Sequence, residues 1–202
     1  MPLSLRRKIW IAATEVKKMD LLIMECTPKG DKASEGEILK RFLTLPDFID
    51  DVKINLVEYT NKSDFLNYLY RHICLNRDYN FVHLSGHGLV ENKENAFFYL
   101  PRGSVKPDEF PRDCFMGTNV GISACELGKT AFIDPFIKQT CPVTALGPQK
   151  VVNFSDACFF WIHYYSRILH HNYKPLTAYR KTINSLKKEV RGSFQFFNNN
   201  IF

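Results

Sequence analysis

Residues 81–88, FVHLSGHG, decide the fold that we expect for this chain. An apolar strand ends here in a loop where Gly86 and Gly88 flank His87. Glycine weakens a strand and imidazole is awkward to bury, so a purely structural strand gains little from this ending. The stretch therefore predicts a buried strand whose end places a titratable ring and bare backbone beside something that needs both.

Strand-like and helix-like segments alternate on either side of this stretch. The further runs that predict strands are 21–26 (LLIMEC), 52–59 (VKINLVEY), 95–102 (NAFFYLPR), 119–125 (NVGISAC) and 142–147 (PVTALG). The Pro-rich, aperiodic residues 101–118 predict a long loop. Alternation of this kind predicts an α/β fold with a mainly parallel central sheet and helices on both faces.

The first helix is predicted from a capping box. Ser34 is followed three residues later by Glu37, and Ile38, Phe42 and Leu45 share one stripe that we expect to face inward. Pro46 then ends the helix.

The remaining helices are predicted from caps and apolar periodicity. Asn61 caps a helix with Phe65, Leu69 and Ile73 on one face, and a short helical turn covers 131–139. Ser155 or Asp156 starts a long helix that is apolar nearly all round and is expected to lie deep. A final helix runs from about Leu176 to Lys188, with Tyr179, Ile183 and Leu186 inward.

Length and composition predict one domain over residues 1–202, with 1–18 as an N-terminal extension and 193–202 as a C-terminal tail. The chain has 202 residues, of which 45% are hydrophobic, which is enough for one buried core. No apolar run reaches the roughly 18 residues of a membrane span, and the basic start lacks a signal-peptide core, so we expect a cytoplasmic protein. Six scattered cysteines predict reduced thiols, and no metal or cofactor is expected.

The net charge of +6 would be compatible with a nucleic-acid ligand. However, aromatic and basic residues do not interleave along one predicted face, so we expect no nucleic-acid binding. The basic residues form small groups instead, at 6–8, at 17–18, and at Lys187, Lys188 and Arg191. A solvated basic surface is the favoured interpretation, and docking of an acidic partner remains open.

Chemistry is expected where the strands end. In a parallel sheet, ligands bind at the carboxyl ends of the strands, and both His87 and Cys125 lie at such ends. If the two strands are neighbours, their spacing of roughly 5 Å brings imidazole and thiol within reach of each other. The pair then predicts nucleophilic catalysis, and the amides of Gly88 and Cys125 are the candidate oxyanion hole.

These residues resemble a known family. One apolar strand is followed by SGHG, and a second strand ends in SACELG, with 38 residues from His87 to Cys125. This pattern is similar to that of the caspase-like cysteine peptidases of clan CD, and most similar to that of bacterial CHAT-type members. The segments IMECTPKGDKASEGEILKRFL and LGPQKVVNFSDACFF extend the resemblance over about 19–185. It implies a caspase-like three-layer sandwich, endopeptidase activity, a catalytic dyad of His87 and Cys125, and an oxyanion hole at Gly88.

The sequence departs from the caspase pattern around the nucleophile. Glycine comes one place later, at Gly128, and Ser123 brings no charge to the specificity pocket that this position lines in relatives. Aspartate specificity is therefore not expected, and Ser123, Glu126 and Asp156 are the candidate substrate contacts. Asp156 there would favour a basic substrate residue, although an N-cap role is the plainer interpretation. The short connection after Cys125 favours control by a partner or by loop 101–118 rather than by chain cleavage.

Other residues compete for these roles. Cys26 also ends a predicted strand, but no histidine motif surrounds it, so we interpret it as packing. His83 shares strand parity with His87 and is expected to be buried with a hydrogen bond, or else to orient the catalytic ring. His163, His170 and His171 are interpreted as structural or interface residues.

The sequence leaves more than one function open. The leading hypothesis is a cysteine endopeptidase that cuts a specific protein target; the bacterial resemblance implies a defence or cell-death effector such as a pore-forming gasdermin, and an activating partner. The alternative is a catalytically idle interaction module whose aromatic end, 194–202, docks a partner. A nucleotide-binding domain is the weakest option, because no glycine-rich phosphate loop is present.

Overall fold

The structure, a computed structural model, describes residues 19–27, 33–45, 52–76, 79–92 and 95–199. The expected N-terminal extension, the helix stop at Pro46 and the last three residues of the expected tail lie outside these ranges.

Nine strands and six helices are formed by the described residues. The strands are β1 Met19–Glu25, β2 Val52–Glu58, β3 Phe81–Ser85, β4 His87–Val90, β5 Ala96–Leu100, β6 Gly103–Val105, β7 Asn119–Ser123, β8 Thr144–Pro148 and β9 Phe194–Asn198. The helices are α1 Glu35–Leu43, α2 Lys62–Tyr68, α3 Thr130–Thr140, α4 Phe154–Leu169, α5 Pro175–Ser185 and α6 Lys188–Arg191. A π-helical turn, Leu69–Cys74, extends α2.

A six-stranded sheet forms the middle layer, in the order β2-β1-β3-β7-β8-β9. Neighbours from β2 to β8 run parallel, and β9 pairs antiparallel with β8. The predicted α/β fold with a mainly parallel sheet is therefore confirmed. Strand β2 lies at one edge of this sheet and β9 at the other.

Helices cover both faces of this sheet, as the sequence predicts. In β1, Leu21 and Ile23 pack into the core beneath α1 and α4, whereas Leu22 and Met24 pack into the core beneath α2 and α3. Successive strand residues point to opposite faces, so a strand buried on both faces has to be apolar throughout. This is why residues 21–24, LLIM, form one continuous apolar run.

A second, three-stranded antiparallel sheet, in the order β4-β5-β6, was not predicted. Its first strand begins at His87, directly after β3 ends. The predicted strand at 95–102 is present as β5, but it belongs to this small sheet. The predicted loop at 101–118 contains β6 and a short 3-10 turn, Pro107–Glu109, so the expectation of a structureless loop is wrong in part.

The N-cap of α1 is confirmed, but its predicted inner face is wrong. Ser34 Oγ accepts a hydrogen bond from the Glu37 amide at 2.9 Å. The residues expected in the core are exposed instead: the exposed fraction is 37% for Phe42 and 45% for Leu45. Leu39 and Leu43 are buried instead, because the sheet and α4 lie on that side of the helix.

The prediction for α2 is confirmed in both respects. Asn61 Oδ1 accepts from the Asp64 amide at 2.9 Å, and Phe65, Leu69 and Ile73 are buried. The helix at 131–139 is longer than the predicted turn and spans 11 residues as α3.

Two corrections apply to α4. It begins at Phe154 after Asn153, so Ser155 and Asp156 lie in its first turn and neither is the N-cap. The expectation that α4 lies deep holds for only part of its surface, since Phe160, Trp161 and Tyr165 are buried whereas Phe159 is 59% exposed. One side of this helix faces solvent.

The last helix ends earlier than predicted. At Leu186 the backbone is extended, with ψ of 162°, so α5 ends at Ser185 and α6 begins separately at Lys188. Ala178 and Thr182 are its fully buried residues.

The expected aromatic tail is largely a strand. Phe194–Asn198 form β9, and Phe194 is only 4% exposed. Its ring stacks on Phe160 with centroids 3.7 Å apart. The interpretation of these aromatics as an exposed docking segment does not hold for 194–198.

No helix in the described ranges is long and apolar enough to cross a membrane.

Candidate active site

Adjacent strands bring the two chemistry-bearing residues to one edge of the sheet. Strands β3 and β7 pair in parallel, with Ser85 opposite Ser123. His87 and Cys125 each follow two residues later, so both lie just beyond the same edge. The sequence left open whether these strands are neighbours, and the structure shows that they are.

Cys125 sits in a tight turn that closes β7. The Leu127 amide donates to the Ala124 carbonyl at 3.3 Å, and Glu126 has a φ of 65°. The backbone of a residue other than glycine rarely adopts this left-handed conformation. Backbone strain of this kind is concentrated at functional sites. The turn leaves the thiol partly exposed, with Sγ 3.9 Å from the Val152 carbonyl oxygen.

Gly128 completes this turn by close packing. A Cβ at position 128 would lie 2.4 Å from the Gly147 carbonyl oxygen on β8. No larger residue fits at position 128 without moving the backbone of β8.

The backbone of β4 lies directly against the Cys125 turn. A Cβ at Gly88 would lie 2.3 Å from the Cys125 carbonyl oxygen and 2.6 Å from Leu127 Cγ. The chain therefore needs glycine after His87 for close approach, as the sequence predicts for a bare backbone. This contact couples the small sheet to the Cys125 turn.

The Cys125 amide has the free hydrogen that an oxyanion hole requires. Within the described residues it donates no backbone hydrogen bond, whereas the Gly86 amide is used by the Ser123 carbonyl at 3.1 Å. Amides that point at a developing negative charge stabilise a tetrahedral intermediate. The Cys125 amide is available for that purpose.

His87, Cys125 and Ser123 line one cleft with a volume of about 470 Å³. Strand ends supply one wall, and Val152, Phe154 and Ala157, before and within the first turn of α4, supply the other. His87 itself is exposed, so its ring is accessible from solvent. This volume lies within the range of sites that hold small ligands or single side chains.

A buried carboxylate that was not predicted from the sequence also lines this cleft. Glu35, the first residue of α1, is only 4% exposed. Its Oε2 accepts from Ser123 Oγ at 2.8 Å, and its Oε1 lies 2.8 Å from His83 Nε2. A carboxylate has about four acceptor sites, so these two partners leave acceptor capacity for a third group in the cleft.

His83 holds Glu35 from within the core. Its Nδ1 lies 3.0 Å from the Tyr165 hydroxyl, and its ring meets Trp161 edge-on at 4.7 Å. Burial raises the pKa of Tyr165 well above its usual value, so the phenol keeps its proton and is able to donate it. His83 therefore lies buried in a hydrogen-bonded chain, and it orients Glu35 rather than the ring of His87.

A second carboxylate, Glu25, fixes the start of α1. Its Oε1 accepts from the Gly36 amide at 3.2 Å, and its Oε2 accepts from Ser34 Oγ. Negative charge is favourable at a helix N-terminus, because the first amides have no partner in the helix. Glu25 thus anchors the helix that carries Glu35 into the cleft.

The other predicted substrate contacts lie elsewhere. Glu126 contacts Lys129 Nζ, and Asp156 lies in the first turn of α4; neither residue lines the cleft. Of the three candidates, only Ser123 lies beside Cys125 in the cleft. One signal in the sequence was available for Glu35: a carboxylate directly after an N-cap at a strand's carboxyl end.

Cys125 differs from the competing thiols by its surroundings. Cys26 is fully buried, and burial, then the charge of Glu25, raises the pKa of its thiol. Burial likewise raises the pKa of Cys114, and that of Cys158 to about 12. A raised pKa means less thiolate at neutral pH, so these three are poor nucleophiles.

No group of three or more His, Cys, Asp or Glu side chains within the described ranges is arranged to hold a metal ion.

Comparison with known proteins identifies the fold. No protein-family model and no curated protein match the sequence. Among solved structures, the crystal structure of the Saccharomyces cerevisiae separase–securin complex matches with a TM-score of 0.54 at 13% sequence identity, over 89% of this chain and 12% of that chain. The chain therefore has a separase-like, caspase-type α/β fold, which confirms the fold expected from the resemblance. The closer similarity to CHAT-type members stays a prediction.

Proposed function

We propose that this chain is a cysteine endopeptidase in which Cys125 is the nucleophile and His87 is the general base. One observation carries the proposal: β3 and β7 are adjacent parallel strands, so His87 and Cys125 follow paired residues and line the same cleft. The caspase-type fold supports it, since the site lies at the carboxyl edge of the central sheet, where such folds bind ligands.

The proposed reaction follows from these groups. His87 removes the thiol proton of Cys125, and the thiolate attacks the carbonyl carbon of the scissile peptide. The oxyanion is stabilised by the amides of Cys125 and Gly88, and the imidazolium then protonates the leaving amine. Water activated by His87 hydrolyses the thioester, which releases the new carboxyl group and restores the thiol.

We further propose that the residue before the scissile bond is basic. Glu35 places negative charge in the cleft beside Cys125, and none of the described residues that line this cleft is a lysine or arginine. A guanidinium presents several N–H donors to a carboxylate and is recognised better than a neutral side chain of the same shape. In this proposal Glu35 takes the role that the sequence suggested for Asp156.

The target and its context are proposed from the resemblance to bacterial CHAT-type peptidases. The substrate would be a specific protein, such as a gasdermin-like pore-forming effector in a cytoplasmic defence or cell-death pathway. An activating partner would control the site. The alternative, an idle interaction module, makes the opposite prediction for the thiol.

Alkylation of the six thiols tests the proposed chemistry. Peptidyl chloromethyl ketones and iodoacetamide are expected to label Cys125 before Cys74 and Cys141 near pH 7, as followed by mass spectrometry. These two thiols are also partly exposed and serve as internal controls. His87→Ala is expected to remove the preference, since the thiolate then loses its base.

A peptide library provides the second measurement. Cleavage by the wild-type chain is expected to fall by about 10³-fold or more in Cys125→Ala, while Cys141→Ala leaves it unchanged. Equal alkylation of all three accessible thiols, with no Cys125-dependent cleavage, favours the idle module and contradicts the peptidase.

A further inference from the structure

The excess positive charge of this chain is concentrated in one stretch. Residues 157–188 contain six lysines and arginines and no aspartate or glutamate. The whole chain has 27 basic and 21 acidic residues, so the remainder is balanced at 21 of each. The formal charge of +6 therefore belongs entirely to the segment that forms most of α4, all of α5 and the turn between them.

This segment folds into a hairpin with a polar cavity between its arms. Helices α4 and α5 pack against each other after a short turn, and a cavity of about 550 Å³ opens on their outer side. Side chains with positive or polar groups line it, including His163, Arg167, His171, Lys181, Asn184 and Ser185. None of the described residues that line this cavity is acidic.

Arg167 is held in place without being neutralised. Its Nη1 donates to the His163 carbonyl at 3.2 Å and approaches Thr182 Oγ1 at 3.5 Å, and its Nη2 lies 3.4 Å from Ser185 Oγ. All three acceptors are uncharged. A guanidinium has five N–H donors, so two remain for a ligand.

Lys181 supplies a second fixed cation. Its Nζ lies 5.0 Å from the centroid of the Tyr173 ring, which is a cation–π distance. Neither Lys181 nor Arg167 forms an ion pair with a carboxylate of the described residues, in contrast to Arg41, Lys62 and Lys129.

The histidine beside them is affected by this positive environment. Burial, and then the charge of Arg167, lower the pKa of His163. Like charges gathered in one cavity repel one another, and this repulsion is relieved when an anion binds between them.

We propose that the cavity between α4 and α5 binds a small phosphorylated molecule through Arg167 and Lys181. A guanidinium matches the geometry of phosphate oxygens and binds them bidentately, while an ammonium adds a point charge. Ser166, Ser185 and Asn184 add neutral hydrogen-bonding groups around them. The concave shape and volume favour a small ligand over a flat protein surface.

This site is distinct from the cleft of Cys125. The described linings of the two sites share no residue, and along α4 Ala157 of the cleft lies about 9 Å from His163, the first cavity residue, at 1.5 Å per residue. The proposed ligand is thus no substrate of the cysteine, and the inference stands whether or not the chain cleaves peptides.

Calorimetric titration of the full chain at physiological salt tests the proposal. The probes are pyrophosphate and ATP, with a polyglutamate peptide as the acidic-protein arm. Arg167→Gln/Lys181→Gln is expected to weaken binding of the phosphate probes at least tenfold. The control, Lys187→Gln/Lys188→Gln, removes the same charge from the same stretch outside the cavity lining and is expected to change binding less than threefold.

Exposed Lys181 also permits a variant that poses no risk to folding. Lys181→Gln alone is expected to weaken phosphate binding while leaving the unfolding temperature unchanged. Equal weakening by both double variants would mean diffuse charge attraction and would overturn the proposal. Binding of polyglutamate but not of phosphates would overturn it too and assign the surface to an acidic protein, and binding of no probe would refute it.

Discussion

Cys125 and Glu35 share a cleft but require opposite surroundings. The thiol lies partly exposed in a turn where Glu126 has a positive φ, as the proposed attack on a substrate requires. The carboxylate lies beneath it, with one oxygen bound by Ser123 and the other by His83. A buried charge is costly unless hydrogen bonds satisfy it, so this set of partners keeps Glu35 in place while the cleft is empty.

The charge of Glu35 is tested at this scale with a neutral variant of the same shape. Glu35→Gln is expected to reduce the preference for arginine over citrulline before the scissile bond by about tenfold or more, because a charge-assisted hydrogen bond becomes a neutral one. The measurement compares kcat/KM for two fluorogenic peptides that differ only in this residue.

Glu37→Gln is the matched control, since it removes the same charge from the exposed side of the same helix. If Cys125 of the wild-type chain is alkylated selectively but arginine and citrulline peptides are cut equally, the role of Glu35 is refuted. The peptidase proposal is then unaffected. Absence of Cys125-dependent reactivity would instead refute the peptidase.

Strands rather than loops position the site. The pairing of β3 with β7 places His87 and Cys125 at the same distance beyond the edge of the sheet. Strand β4 starts at His87, so that Gly88 contacts the Cys125 turn. The small sheet is thereby packed at Gly88 against the Cys125 carbonyl and the Leu127 side chain. Rigid elements hold catalytic groups more accurately than free loops do.

The contact at Gly88 gives a prediction for β4. Gly88→Ala places a Cβ against the Cys125 carbonyl, so backbone has to move. We expect a loss of about 1–3 kcal/mol in the free energy of unfolding and much slower alkylation of Cys125. Urea denaturation and mass spectrometry measure the two effects.

Gly192→Ala is the control, because a Cβ there meets no atom within 4 Å. If Gly88→Ala matched it in stability and in alkylation rate, the close approach of β4 to the turn would be disproved.

Strands with continuous apolar runs were predictable from the sequence, whereas β4 was not. Strands β1 and β7 are buried on both faces of the sheet. Their sequences therefore predict a buried strand whatever the register in which the strand pairs. By contrast, β4 is four residues long, starts with His-Gly and pairs antiparallel in a sheet that has no sequence-wide period. Its strand state comes from pairing with β5, which no local pattern records.

The inner face of α1 and the role of Glu35 were missed for a related reason. Helical periodicity allows two overlapping stripes, and tertiary packing chose Leu39 and Leu43 over Ile38 and Phe42. That choice also rotates Glu35 into the cleft. The candidate pair of His87 and Cys125 was predictable because two motifs and one rule on strand ends suffice, once the strands are neighbours.

At the scale of the whole molecule, the two ends of the described chain meet in one core. Strand β9 arrives last and pairs with β8, and Phe194 fills the space between the sheet and α4. The Tyr179 hydroxyl donates to the Phe194 carbonyl at 2.9 Å, which fastens α5 to the same strand. The final strand therefore closes the layer formed by α4 and α5.

Removal of one ring tests this closure. Phe194→Ala is expected to lower the free energy of unfolding by about 3–5 kcal/mol, since a stacked, buried ring is lost. Phe159→Ala makes the same chemical change at an exposed position of α4 and is expected to cost about 0.5 kcal/mol or less. Equal midpoints of thermal unfolding would show that β9 adds no stability.

The chain of contacts from Ser123 through Glu35 and His83 to Tyr165 spans a strand end, a helix start, a mid-strand position and a second helix. Each residue supplies the hydrogen-bond donor or acceptor that the next one needs. A substitution at one position therefore leaves a buried polar atom without a hydrogen-bond partner. Over evolutionary time, we expect these four positions to be exchanged as a set. An alignment of homologues should show correlated substitution among them, in lineages that keep the carboxylate and in lineages that have abandoned it.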